Sequence, residues 1–282
     1  MTWTFLWLFG AGVITSALGG MLGMAGGIFI VPILAMFAHI DIRAAIGASI
    51  VSVIACSCGS AGAFLRERLT NIRLAAVLEV ATAAGALTGV ALAGVLSTQI
   101  LFALFALVLA VSAQQMLQRR REPVAGPAPP RTTALGLDAT YPDRALGREV
   151  AYRVDRLPLG MGLMYGAGLL SALLGIGSGV LKIPAMDTAL RLPIKVSSAT
   201  SNFMIGVTAA ASAGAYFLRG DIHPDLAAPI ALGSVVGAIL GARVLMVLSS
   251  ARLRVVFVGV LLALAAQMLA AAFGVDLIRG GA

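Results

Sequence analysis

Charge is what this sequence has least of. Only 11% of its 282 residues are charged, against about 25% in an ordinary soluble domain, and mean hydropathy reaches +0.99. Those values exclude a soluble globular domain and describe an integral membrane protein. Cysteine is almost missing: Cys56 and Cys58 stand inside an apolar segment, which excludes a disulfide framework and a cysteine metal site. The two histidines, His39 and His223, fall in polar connections. A haem-binding membrane anchor would need its axial ligands inside helices. No nucleophile–base pair or metal cluster stands at usable spacing, so neither an enzyme nor a cofactor is expected. The formal charge of +8 does not point to nucleic acid. The arginines lie mostly in short connections and one linker, with no basic helix or aromatic-interleaved patch.

What is present is a succession of apolar runs near the twenty residues that a membrane crossing needs. They fall at roughly 3–36, 44–65, 74–96 and 99–117, then at 158–190, 196–218, 226–248 and 253–273. The expectation is an all-α integral membrane protein with about eight transmembrane helices in two sets of four. The membrane segments occupy 1–118 and 158–275. The first twenty residues lack the basic n-region of a signal peptide and are read as membrane helix. Residues 119–157, rich in proline, alanine and charge, are expected to be an extramembrane linker without a fold of its own.

The two sets repeat each other. Shifted by 152 residues, the halves align without a gap from Gly23 to Leu117. "GMAGGIFIVP" then falls on "GIGSGVLKIP", "IDIRAAIGAS" on "LPIKVSSATS", "SAGA" at 60–63 on "SAGA" at 212–215, and "QML" at 115–117 on "QML" at 267–269. Self-similarity at a fixed offset is an internal repeat. Transporters built from repeats place their sites where the repeats meet, at glycine- or proline-interrupted segments in matching positions. Here that pair is "GGMLGMAGGIFIVP" and "LGIGSGVLKIP". Each belongs to a run too long for one straight crossing, which predicts a helix, an unwound glycine turn, and a second half-helix starting near Ile28 or Val180. Pro32 and Pro184 then sit in the first turn, where a missing N–H does no harm.

Unwound backbone at membrane depth needs cover from protein or a water-filled cavity. Its free N–H groups and the new helix's dipole make a partly positive pocket. Lys182, the only lysine between Met1 and Pro193, adds a full charge there that an anion would balance. The expected anion site comprises Lys182, Gly26, Gly27, Gly177, Ser178, Gly179, Ser49, Ser201, Asn202 and Arg243. Thr200 and Thr208 are lesser candidates, because hydroxyls and amides at helix starts donate to oxyanions. A plainer alternative pairs Lys182 with Asp187 or lets it snorkel, with the glycines serving close packing. Arg43 and Lys195 are read as anion-attracting mouth residues or as solvated loop charges. Ionisable groups inside membrane helices are functional candidates by default. Glu79 is accordingly the expected proton-coupling carboxylate, and Arg243 a substrate contact or its counter-charge. The adjacent thiols Cys56 and Cys58 are left out of the site, since small buried cysteines commonly just pack.

These glycine–proline motifs in two copies, with "SSATSNFMIGVTAAASA", resemble the TauE/SafE sulfite exporter family over about residues 5–118 and 158–270. The resemblance implies movement of small sulfur-containing anions, such as sulfite, sulfoacetate or thiosulfate, across the bacterial inner membrane. Ala25 and Ser178 depart from a plain triple-glycine pattern and the linker is long, which bears on substrate choice. The partners expected are therefore a small anion and the bilayer, with a homodimer as a general possibility. The alternatives are a facilitator for another small anion, or a non-transporting subunit that anchors an enzyme through the linker. Arginine counts put "RERLTNIR", "RRREP" and "RGDIHPD" on the cytoplasmic side, with both termini inside and the halves parallel, if each long first segment crosses once. If those segments are re-entrant, the halves are inverted.

Overall fold

The computed structural model describes residues 2–22, 26–117, 136–143, 148–245 and 250–273. Ten helices and one hairpin appear among them. The first half supplies α1 (Thr2–Leu22), α2 (Gly27–Phe37), α3 (Ile42–Arg66), α4 (Ile72–Val95) and α5 (Thr98–Leu117). A pair of short strands follows, β1 (Ala139–Asp143) and β2 (Arg148–Tyr152), antiparallel with Tyr141 opposite Val150. The second half supplies α6 (Leu157–Leu174), α7 (Gly179–Thr188), α8 (Ile194–Leu218), α9 (Pro224–Leu245) and α10 (Ser250–Ala272). Helices α2 to α5 begin 152 residues before α7 to α10, element for element.

The apolar runs end where local chemistry stops a helix. Asn71 caps α4 by accepting the Leu74 N–H at 3.0 Å. Gly175, at φ +65°, ends α6 in the left-handed conformation, and its N–H returns to the Ser171 carbonyl. Large apolar side chains face outward, among them Trp3, Val95, Phe217 and Leu218, each more than 60% exposed. That surface suits hydrocarbon and not water. Among the described residues, four helices are long and apolar enough to cross a membrane: Ile42–Ala61, Ile72–Val95, Leu157–Leu174 and Pro224–Gly241. The sequence segmentation has about eight crossings.

The halves interlock. Helix α1 packs along α9 and α6 along α4, while α3 meets α8 and α9, and α5 meets α10. Close approach at the first two contacts depends on glycine: Gly233, Gly237 and Gly241 lie against the Phe9, Val13 and Ala17 carbonyls, and Gly85 and Gly89 against those of Tyr165 and Leu169. Small residues every fourth position let membrane helices touch through their backbones. The order of these contacts fixes direction: α1 runs parallel to α9, and α6 parallel to α4. Gly47, near the start of α3, abuts the Asp221 carbonyl just before α9, so α1, α3 and α9 begin at one end. Helices α4 and α6 begin at the other.

Helices α2 and α7 have 11 and 10 residues. At 1.5 Å per residue they reach about half of the ~30 Å hydrocarbon thickness. Each turns back. The Asp155 N–H before α6 donates to the Leu190 carbonyl after α7 at 3.2 Å, and Arg191 pairs with Asp155 at 3.8 Å. The long first segment of the second half is therefore a helical hairpin opening at one end, not a single crossing broken midway. This corrects the single-crossing premise of the arginine count.

The linker also differs from expectation. Its described part is folded, because Leu137, Tyr141, Val150 and Tyr152 bury themselves on Leu74, Leu78, Met164, Met186 and Met204 of the helices. Two five-residue strands with an apolar face are hard to discern among prolines and arginines, and isolated they would be marginal. Docking on the helix ends stabilises them.

Candidate functional site

The two breaks meet. The Ser49 hydroxyl on α3 donates to the Gly175 carbonyl at 2.6 Å, with the Gly27 carbonyl 3.4 Å away. A Cβ on Gly27 would stand 2.6 Å from the Gly175 carbonyl oxygen, so no larger residue fits there without displacement. Gly177, at φ +69°, turns the chain into α7. The first break is described from Gly26 onward; Gly23, Met24 and Ala25 lie outside the described residues. Gly26 rests against Ser16 of α1.

At the start of α7 and on α8, four buried polar atoms have no hydrogen-bond partner among the described residues: Ser178 Oγ, Ser197 Oγ, Ser201 Oγ and Asn202 Nδ2. Buried polar groups are nearly always satisfied, so unsatisfied ones call for an explanation such as a ligand or water. The first N–H groups of α7 also lack intrahelical partners by helix geometry. These are the donor types an oxyanion accepts from.

Lys182 lies one turn along and is wholly buried. Its Nζ donates to Thr208 Oγ1 at 2.6 Å and stands 3.5 Å from Glu79 Oε2. The Thr208 hydroxyl donates in turn to Glu79 Oε1 at 2.6 Å, with the Met204 carbonyl a second acceptor at 2.9 Å. Three helices thus supply one cluster: α7 the cation, α4 the carboxylate, α8 the hydroxyl between them. The Glu79 side chain keeps 12% of its surface exposed. Two opposite charges this close in a low-dielectric interior interact strongly, and each is costly without the other.

The other expected residues fall elsewhere. Arg43 Nη2 donates to the Leu96 carbonyl at the end of α4, at 3.2 Å. Lys195 is exposed. Arg243 belongs to the last turn of α9, but its side chain lies outside the described residues. The counter-charge that meets Glu79 is Lys182. Thr200 Oγ1 accepts the Asn71 N–H at 3.2 Å, away from the lysine cluster. Cys56 is buried and Cys58 exposed, so the pair does not share a face.

Sequence reading passed over Asn71 and Tyr216. Besides capping α4, Asn71 Nδ2 donates to the Leu137 carbonyl at 2.8 Å and to the Tyr152 hydroxyl at 2.9 Å, fastening the hairpin to the helices. Burial pushes the Tyr152 hydroxyl up to about 12; the Asp138 charge adds to this and the Asn71 contact opposes it. Tyr216 donates to the Ala172 carbonyl near the end of α6 at 2.8 Å. The "N" of "TNIR" before an apolar run was a helix-cap signal in plain view.

Residues 8–268 match the family described as Sulfite exporter TauE/SafE. The chain belongs to this family. It is 25% identical over 251 residues to the "Probable membrane transporter protein YunE" of Bacillus subtilis (strain 168), covering 86% of this chain and 88% of that protein. It is 32% identical over 110 residues to the "Probable membrane transporter protein MamO" of Paramagnetospirillum magneticum (strain ATCC 700264 / AMB-1), covering 36% of this chain and 17% of that one. No solved structure matches the chain. Family and relatives together make this TauE/SafE protein a multi-pass membrane transporter.

Proposed function

We propose that this protein is a secondary transporter of a small sulfur-containing anion, sulfite or an organosulfonate, exported across the bacterial inner membrane. The observation that carries the reading is Lys182: a fully buried lysine beside a helix break, held by Thr208 and Glu79. The anion is held by Lys182, by Ser178, Ser201 and Asn202, and by the first N–H groups of α7. Glu79 is the coupling group. When it takes a proton, the lysine loses its fixed counter-charge and is available to the anion. When it releases the proton, the internal pair reforms and the anion leaves.

Opposed chain directions in the two halves support an inverted repeat, with α1–α2 and α6–α7 as re-entrant hairpins meeting at Ser49. Movement of one half against the other around that meeting point gives alternating access. The domain division follows: membrane repeats at 1–118 and 158–275, joined by the extramembrane linker 119–157.

The test is a thermal-shift series on the purified protein with sulfite, sulfate, thiosulfate, sulfoacetate, taurine and chloride, repeated with Lys182→Ala. Ligands that bind the native state raise its melting temperature. Stabilisation by one sulfur anion, lost in a folded Lys182→Ala variant, is the expected result. Equal shifts in both proteins would remove Lys182 from the site. Flux into proteoliposomes that ignores an imposed proton gradient would remove Glu79 from coupling.

A further inference from the structure

The carboxyl of Glu79 has a second side. Between α4 and α8 lies a cavity of about 420 Å³, lined by Ala76, Glu79 and Ala83 of α4 and by Phe203, Met204 and Val207 of α8. Glu79 is the sole charged group among its lining residues. The groove opens outward beside Val80, 68% exposed, on a stripe of α4 that also presents Ile72 and Leu87. In a bilayer that stripe faces acyl chains, and the small alanines leave room over the carboxyl. None of the groove's lining residues is a cation that could hold a lipid phosphate or an acidic peptide. What fits is an uncharged, apolar molecule that arrives dissolved in the membrane. The transport reading requires a path for the anion from water; it says nothing of access from lipid.

We propose that this groove is a lipid-side port to Glu79, making the carboxyl a modification site for apolar, carboxyl-directed electrophiles of the carbodiimide class. The chemistry closes within the site. A proton passes from the Lys182 ammonium to one carbodiimide nitrogen while a Glu79 carboxylate oxygen bonds to the central carbon, giving an O-acylisourea and leaving the lysine amine free. An oxygen-to-nitrogen acyl shift then leaves a stable N-acylurea that retains every atom of the reagent. Lys182 Nζ, 3.5 Å from Glu79 Oε2, opens a second outcome. Its free amine attacks the acyl carbon, a dialkylurea departs, and an amide joins Lys182 to Glu79 with the net loss of one water.

The experiment treats the full chain in lipid nanodiscs with dicyclohexylcarbodiimide or with a water-soluble, cationic carbodiimide, and reads the products by peptide mass spectrometry. The expected result is either the intact-reagent adduct on Glu79 or the Lys182–Glu79 amide, with the hydrophobic reagent alone. Val207→Trp fills the groove and leaves both members of the charged pair in the sequence. It is expected to abolish labelling while the protein stays monodisperse and keeps its melting temperature. Equal labelling of Glu79 by the water-soluble reagent would overturn the proposal, as would labelling undiminished in Val207→Trp. So would a Glu79 that stays unmodified in nanodiscs but reacts once the chain is unfolded. None of these outcomes depends on whether an anion is bound or moved, so the port and the transport reading fail separately.

Discussion

At the scale of single residues, Lys182, Thr208 and Glu79 carry the sharpest consequences. Removing one member of a buried ion pair leaves the other charge uncompensated and typically costs about 3–5 kcal/mol, whereas replacing both with neutral groups is close to neutral. Lys182→Met alone is therefore expected to lower the melting temperature in detergent, and Lys182→Met with Glu79→Gln to recover most of the loss. Under the proposed function, both variants are also expected to lose anion flux in proteoliposomes. A double variant no more stable than the single one would show that the pair is not a unit. Each of the two ionisable residues was legible as an oddity in an apolar run. Their pairing was not, because 103 positions separate them and only the packing of α4, α7 and α8 brings them together.

At the scale of elements, the breaks and the hairpin behave differently. Gly27 has no space for a Cβ beside the Gly175 carbonyl, so Gly27→Ala pushes the two breaks apart. Overpacking of this sort costs about 1–3 kcal/mol, to be read as a fall in melting temperature. The hairpin hangs on Asn71. Loss of a helix cap costs about 1 kcal/mol, and Asn71→Ala also frees Leu137 and Tyr152. The expected outcome is faster proteolysis of the 136–152 segment with the helices intact. Tyr152 gives the same contact a pH signature. Its pKa rises from 10.0 to about 12 on folding, so the native state favours the neutral phenol. Docking is fully stable below pH 10 and weakens as pH climbs towards 12. Limited proteolysis across that window should show the hairpin loosening, and Tyr152→Phe should flatten the dependence. The glycine interruptions were visible in the sequence, since two copies at one offset stand out. The hairpin was not, because its stability comes from the helix ends beneath it and not from its own ten residues.

At the scale of the whole molecule, the question is which connections share a side. With opposed halves, the 38–41 and 219–223 connections lie at one end, and 67–71 and 189–193 at the other. Single cysteines at His39 and Arg191, introduced after replacing Cys56 and Cys58 with serine, are then expected to react with an impermeant maleimide from opposite sides of a sealed vesicle. Parallel halves would put these two matching positions on the same side. The experiment decides between the two arrangements without reference to function.

The sequence by itself determined the membrane class and the 152-residue offset at which helices α2–α5 and α7–α10 begin. Low charge, long apolar runs and a constant 152-residue offset are properties of the chain as written, and no folding alters them. It also marked where backbone must leave the helix, since glycines at positions 175 and 177 act locally; the prolines, expected in the first turn, instead stand at the sixth residue of α2 and α7, in the second turn. Only the tertiary structure decided what those places face. Whether a broken segment crosses or returns depends on which helix ends meet, as at Asp155 and Leu190. Whether a buried lysine finds a carboxylate depends on three helices converging. Side-chain period and local propensity extend over a few residues, and contacts between distant segments are set by how the helices pack, so direction and pairing had to await the fold.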